Sequence, residues 1–210
     1  MEAVLRNELE VQKLATLFVV PAALTIEDQE QNLWSAFKAG SRDALNSIFV
    51  KYSRLLYSYG RNMTPDQALI ADCIQDIFVE LWVRKEKISE VNSIRFYLMR
   101  ALRRSVLKRL SADKRLLSKG APDGNDDGDV EFSIEFNLIH DQLSAELRAQ
   151  LQSAMTQLSK RQQEAIYLKF YENMSYEELS SVMDINVKAA YNLIGKAIII
   201  LRSVVKRSAA

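Results

Sequence analysis

The chain has 210 residues, 48% hydrophobic and 26% charged, with six glycines, three prolines, one cysteine and one histidine. That composition excludes collagen-like and disordered classes, and Cys73 alone excludes an internal disulfide or a Cys-rich zinc site. His140 alone excludes a two-His metal motif, and no apolar run approaches the ~20 residues of a membrane span. The net charge of +1 is unevenly spread: −1 over residues 1–26, +5 over 27–118, −7 over 119–146 and +4 over 147–210. Two basic modules joined by an acidic segment suggest a polyanion partner, although uneven surface charge by itself gives the same pattern.

Residues 1–26 read as an extension outside the domains. Leu14–Leu24 (LATLFVVPAAL) resembles a signal-peptide core, but Glu2, Glu8 and Glu10 outnumber Arg6 and Lys13 before it, which is wrong for export. A cytoplasmic protein is therefore expected.

Residues 27–118 read as a first helical module. Leu33–Ala39 is short and apolar-periodic, Gly40 ends it, and Ser41 can cap the next helix. Leu45, Ile48, Phe49, Tyr52, Leu55, Leu56 and Tyr59 then follow helical spacing with one core face. Thr64 is expected to cap the next helix, with Pro65 at its first position and Gln67 closing a capping box. Ile70, Ile74, Ile77, Phe78 and Leu81 make its core stripe, and Cys73 reads as a small buried hydrophobe. On another face Asp72, Gln75, Asp76 and Val79 form an acidic stripe with an apolar spot, either a solvated face or a patch for a basic partner helix.

A last helix spans about Ser93 to Ser118. From Asn92 to Lys119 there are nine basic residues and one acid, Asp113. Arg95, Arg100, Arg103, Arg104, Lys108 and Arg109 are too many for local ion pairs, and Phe96 and Tyr97 sit among them. Arginines neutralise phosphates and aromatic faces stack on exposed bases, a combination suited to single-stranded or melting nucleic acid. Tyr97, Leu98, Ala101 and Leu102 fit a core face equally well, and the helix needs one.

Residues 119–140 read as a flexible acidic linker. Lys119–Val130 (KGAPDGNDDGDV) cannot bury enough apolar surface to order itself. Phe132, Ile134, Phe136 and Leu138 alternate beyond it and are expected to dock on a partner or a neighbouring domain.

Residues 141–210 read as a second helical module. Leu143–Leu158 is amphipathic. Ser159 and Gln162 form a capping box for a helix carrying Ile166, Tyr167 and Phe170 inward. Ser175 and Glu178 form another, for a helix that stops near Asp184. Asn186 caps a final helix whose apolar stripe is Ala190, Leu193, Ile194, Ala197, Ile198 and Leu201, with Ile199 outward. The last two helices form a helix-turn-helix. Lys188, Tyr191, Asn192, Gly195 and Lys196 lie opposite the core stripe, where Lys can reach phosphate or guanine, Asn adenine, and Gly allows close approach.

Three segments resemble the extracytoplasmic-function sigma factors of bacterial RNA polymerase. LWSAFKAGSRDALNSIFVKYSRLLY (33–57) is similar to the start of their first domain. ADCIQDIFVELW (71–82) is similar to the pattern D-x-x-Q-[DE]-x-F-x-x-x-W. LSKRQQEAIYLKFYENMSYEELSSVMDINVKAAYNLIGKAIIILR (158–202) resembles their second domain. The resemblance implies an all-α fold of two small helical domains joined by the linker, no enzymatic activity and no cofactor. It implies docking of Asp72, Gln75, Asp76 and Val79 on the largest-subunit clamp helices of core RNA polymerase, and contact with the flap. Promoter DNA would be the other partner. Arg95, Phe96, Tyr97, Arg100, Arg103, Arg104 and Lys108 would meet the −10 element. Arg161, Lys188, Tyr191, Asn192, Gly195 and Lys196 would meet the −35 element. The linker would run toward the RNA exit channel, and an anti-sigma protein is a partner the resemblance leaves open. Arg104 and Lys108 stand where the family often has Asn and Asp; Ser159 and Asp184 replace a common Pro and Gly.

The rival is a free-standing helix-turn-helix regulator, which gives the acidic stripe no use. An enzyme is the weakest reading, because no phosphate loop, metal cluster or nucleophile–base pattern is present. Basic modules around an acidic segment also predict that the free protein collapses and binds promoter DNA poorly.

Overall fold

The computed structural model describes residues 26–117 and 152–208; the readings made for residues 1–25 and for the linker lie outside the described residues. Among the described residues every regular element is helical. No helix there is long and apolar enough to cross a membrane.

The first group contains α1 (Ile26–Lys38), α2 (Arg42–Met63), α3 (Gln67–Arg84) and α4 (Ile94–Leu117). Helix α1 starts seven residues before the apolar run that predicts it. Its polar first turns are tied down by Glu30, which accepts from the Tyr52 hydroxyl and, at 3.0 Å, from Lys51 Nζ. Burial raises the Glu30 pKa, but these donors outweigh it and hold the carboxyl below its usual value. Gly40 takes φ +94° between α1 and α2, and Ser41 caps α2 by accepting from Ala44 N. Gly60 lets α2 and α3 approach closely, since a Cβ there would sit 2.7 Å from Ile70 Cγ2.

The start of α3 differs from expectation. Its N-cap is Asp66, which accepts from Leu69 N, and no capping box joins Thr64 to Gln67. Thr64 instead ends α2 in extended conformation, with its N–H bonded to Gly60 O. The proline after it disfavours helical backbone at Thr64, so the start moves two residues on. The predicted α3 stripe and Cys73 are all buried, as are Leu98, Met99, Leu102 and Val106 of α4.

The second group contains α5 (Lys160–Ile166), a π-helical turn (Tyr167–Tyr171), α6 (Tyr176–Met183) and α7 (Val187–Ser208). Both predicted capping boxes are present, Ser159 with Gln162 and Ser175 with Glu178. Asn186 Oδ1 accepts from Ala189 N at 2.8 Å and caps α7. Phe170, expected inward, is 56% exposed, and Leu168 is buried in its place. The π-helical turn holds more than 3.6 residues, so it rotates the inward register away from Phe170. Asp184 ends α6 at φ 57°, ψ 46°, the left-handed conformation that Asp tolerates better than most residues. The two groups pack against each other through α4 and α6.

Candidate polymerase and promoter interfaces

The face of α4 expected to meet nucleic acid is covered by carboxylates of the second group. Arg103 is 7% exposed. Its Nε donates to Glu164 Oε1 at 2.9 Å and its Nη2 to Glu164 Oε2 at 3.2 Å, a bidentate pair. Glu164 is also buried, and its Oε1 accepts from the Tyr59 hydroxyl at 2.6 Å. Burial, and then the Glu164 charge, push the Tyr59 pKa well above normal, so it stays a donor. Arg95 donates to the Glu172 carboxylate and, at 3.1 Å, to its backbone oxygen. The other Glu172 oxygen accepts from Tyr167 at 2.7 Å. Arg100 and Arg104 each hold one Asp184 oxygen, at 3.0 and 3.1 Å. Tyr59 and Tyr167 stack across the same boundary with centroids 6.1 Å apart.

Lys108 is exposed, while Phe96 and Tyr97 are half-buried. The Arg95 guanidinium lies 5.5 Å from the Phe96 ring centre, and Tyr97 lies 5.6 Å from Trp34. Tyr97 thus belongs partly to the core rim, and burial raises its pKa.

The α3 stripe stands in solvent: Asp72, Gln75 and Asp76 are exposed and Val79 is 56% exposed. Arg109 of α4 lies against it, bonded to Asp76 and 3.6 Å from Asp72. The Asp76 carboxylate holds the Arg109 pKa above its usual value. Gln75 and Val79 also line an apolar groove of about 990 Å³ between α2 and α3, floored by Phe49, Ile74, Phe78 and Trp82.

The outer face of α7 is open. Lys188, Tyr191, Asn192, Gly195 and Lys196 are all exposed, and so is Arg161 on α5. Ala190, Ile194 and Ala197 bury the opposite side.

Two family models match the chain: "Sigma-70 region 2" over residues 48–116 and "Sigma-70, region 4" over residues 148–200. The chain belongs to the sigma-70 family. Region 2 followed by region 4 makes it an RNA polymerase sigma factor of the extracytoplasmic-function type, and sigma factors as a family are non-enzymatic initiation factors that work with core polymerase on promoter DNA.

Solved structures similar to this sigma factor include the following two. CnrH in complex with the cytosolic domain of CnrY is 19% identical, with 85% of this chain and 97% of that one covered and a TM-score of 0.56. The sigma factor RpoE in complex with the anti-sigma factor NepR, from Bartonella quintana, is also 19% identical, with 77% and 96% covered and a TM-score of 0.53. At that identity the likeness shows the fold. Among curated proteins no relative matches the chain.

In this sigma factor the predicted α4 arginines do converge on one surface, and the predicted α7 residues on another. Sequence reasoning missed Glu164, Glu172 and Asp184, the acids that meet the arginines. The one signal for Glu164 was an acid between Gln163 and the apolar Ala165–Ile166, on the inward side of α5.

Proposed function

We propose that this sigma factor works through three separate faces. Asp72, Gln75, Asp76 and Val79 dock on the clamp helices of core polymerase, next to the apolar groove. The α4 segment from Arg95 to Lys108 takes the −10 element, with Phe96 and Tyr97 against unstacked bases. Arg161, Lys188, Tyr191, Asn192, Gly195 and Lys196 take the −35 element, and the second domain rests near the flap.

The observation that carries this reading is that Arg95, Arg100, Arg103 and Arg104, all on α4, each hold a carboxylate oxygen. A surface that binds four oxyanion contacts is built for phosphates, which have the same charge and acceptor geometry. The carboxylates also occupy it, so the closed form binds promoter DNA poorly and engagement with polymerase must part the domains. The similar RpoE structure holds an anti-sigma factor. A partner of that kind would act here by holding the second domain on α4. The protein would work in the cytoplasm, with polymerase.

A pull-down of core RNA polymerase by the tagged full chain tests the reading. The wild type should retain polymerase and Asp76→Arg should lose roughly tenfold or more, as charge reversal at an interface does, with helix content unchanged by circular dichroism. Arg109→Ala should bind at least as well as wild type, because it removes the local neutralisation of Asp72 and Asp76. No retention by the wild type, with tight duplex DNA binding, would turn the assignment to a free-standing regulator.

A further inference from the structure

Tyr176, the first residue of α6, and Tyr191, in the second turn of α7, lie face to face across the helix-turn-helix. Their ring centroids are 3.7 Å apart and their planes 19° apart. Tyr176 packs on the core edge, with the Lys169 ammonium 4.6 Å from its ring centre. Lys169 is itself fixed by donating to Met174 O at 2.7 Å. Tyr191, by contrast, is 52% exposed. One helical turn further on, a Cβ built at Gly195 would meet nothing within 4 Å. The outer face of α7 therefore carries a fixed aromatic step followed by a notch.

The stack on Tyr176 leaves half of Tyr191 exposed, and nothing among the described residues fills the space beside Gly195. Glycine is the least favoured residue of a helix interior after proline, and nothing packs against Gly195 to require it. Close approach by a partner would require it. An exposed aromatic ring held by stacking has already lost the rotamer freedom that binding would otherwise remove. Its neighbours Lys188, Asn192 and Lys196 supply polar contacts, whereas the ring offers a flat apolar surface. The major groove of a DNA duplex displays one apolar group, the 5-methyl of thymine.

We propose that Tyr191 reads a thymine methyl in the −35 element and that Tyr176 is its positioning residue. Gly195 provides the space for the base-pair edge beside the ring. This rests on the assignment of α7 to the −35 element.

The test uses holoenzyme assembled from the full chain and core RNA polymerase. Duplex fragments randomised across the −35 position are selected for binding, and each dT of the selected sequence is then replaced by dU, which removes only the methyl. One position should lose affinity about fourfold, the effect of one methyl-sized group leaving an apolar contact. That sensitivity should vanish in Tyr191→Ala, shrink in Tyr176→Ala and return in Tyr176→Phe, which keeps the ring. If Tyr176→Ala fails to fold by circular dichroism, the wild-type dU scan and Tyr176→Phe still decide. A selected sequence with no methyl-sensitive dT, or sensitivity that survives Tyr191→Ala, overturns the tyrosine assignment while α7 keeps its role. Selection of no fixed −35 sequence, or selection unaffected by Lys188→Ala and Asn192→Ala, overturns the α7 reading and this proposal with it.

Discussion

Arg103 on α4 and Lys188 on α7 both belong to basic faces proposed to meet promoter DNA, yet they stand in opposite surroundings. Arg103 is buried and bound bidentately by Glu164 inside the molecule. Lys188 is exposed, together with Tyr191, Asn192, Gly195 and Lys196. Charge density does not explain the contrast, since both faces are basic. The difference lies in what each face would bind. A basic, aromatic surface that captures unstacked bases tolerates almost any single strand. A recognition helix is constrained by the donor and acceptor pattern of the major groove. On the proposed reading, the chain closes the surface that stacks on bases and discriminates less, and leaves open the one that reads base-pair edges.

The most severe way to break this contrast is Glu164→Leu. Removing one partner of a buried ion pair costs about 3–5 kcal/mol, because the other charge stays desolvated. Here the chain has an alternative to that loss: the second group can leave α4 and let Arg103 hydrate. The expected outcome is therefore opening rather than unfolding. Small-angle scattering should report a larger radius of gyration, while circular dichroism keeps the helical signal of α1–α4. Binding of a single-stranded promoter oligonucleotide should rise at the same time. An unchanged radius would mean that the remaining contacts, the Glu172 and Asp184 ion pairs with the apolar packing and the Tyr59–Tyr167 stack, keep the groups together without Glu164.

Salt dependence sharpens the same contrast at a smaller scale. Each phosphate contact adds about 0.9 to the slope of log affinity against log salt. In the isolated chain with duplex DNA, Lys188→Ala and Lys196→Ala should each reduce the slope by about that amount. Arg104→Ala should leave it unchanged, since Arg104 is engaged with Asp184. In the Glu164→Leu background Arg104→Ala should begin to lower the slope for single-stranded DNA. Equal slopes for all three variants in the isolated wild-type background would show that the α4 face is already open.

Much of the fold was legible because it is set by neighbours in sequence. The capping boxes at Ser159 and Ser175, the Asn186 cap and the left-handed Asp184 each depend on residues within one turn. The errors were also local. Pro65 restricts Thr64, so Asp66 takes the cap, and the π-helical turn moves Phe170 out of the core. Of the candidate sites, the exposed faces of α3 and α7 followed from helical spacing alone. The charge pattern of two basic modules around an acidic linker led only to an expected collapse of the free protein, not to closure of α4 by the second group. Its chemistry was not legible, because Glu164 meets Arg103 across 61 positions and Tyr59 across 105. In sequence, Glu164 reads as one more polar residue of KRQQEAI, and periodicity carries no information about which distant cation it will face.

Asp184 should give the smallest effect and isolates the exposed part of the closure. Its carboxylate bridges Arg100 and Arg104 in solvent, where such pairs contribute at most about 1 kcal/mol. Asp184→Gly removes the carboxylate but suits the left-handed turn, so α6 and α7 should keep their geometry. Arg104, and then Arg100, hold the Asp184 pKa below its usual value. The folded-state pKa is thus lower than the unfolded one. The contribution is fully present above the ordinary carboxylate range and is lost as pH falls through the folded value. Interdomain energy transfer between dyes on α3 and α7, followed from neutral pH downward, should decline at lower pH in wild type than the ordinary Asp range would give. The Asp184→Gly variant should lose that portion of the transition and keep the rest. An identical profile would assign the acid-sensitive part of the closure to groups other than Asp184, leaving Arg100 and Arg104 as bystanders to it.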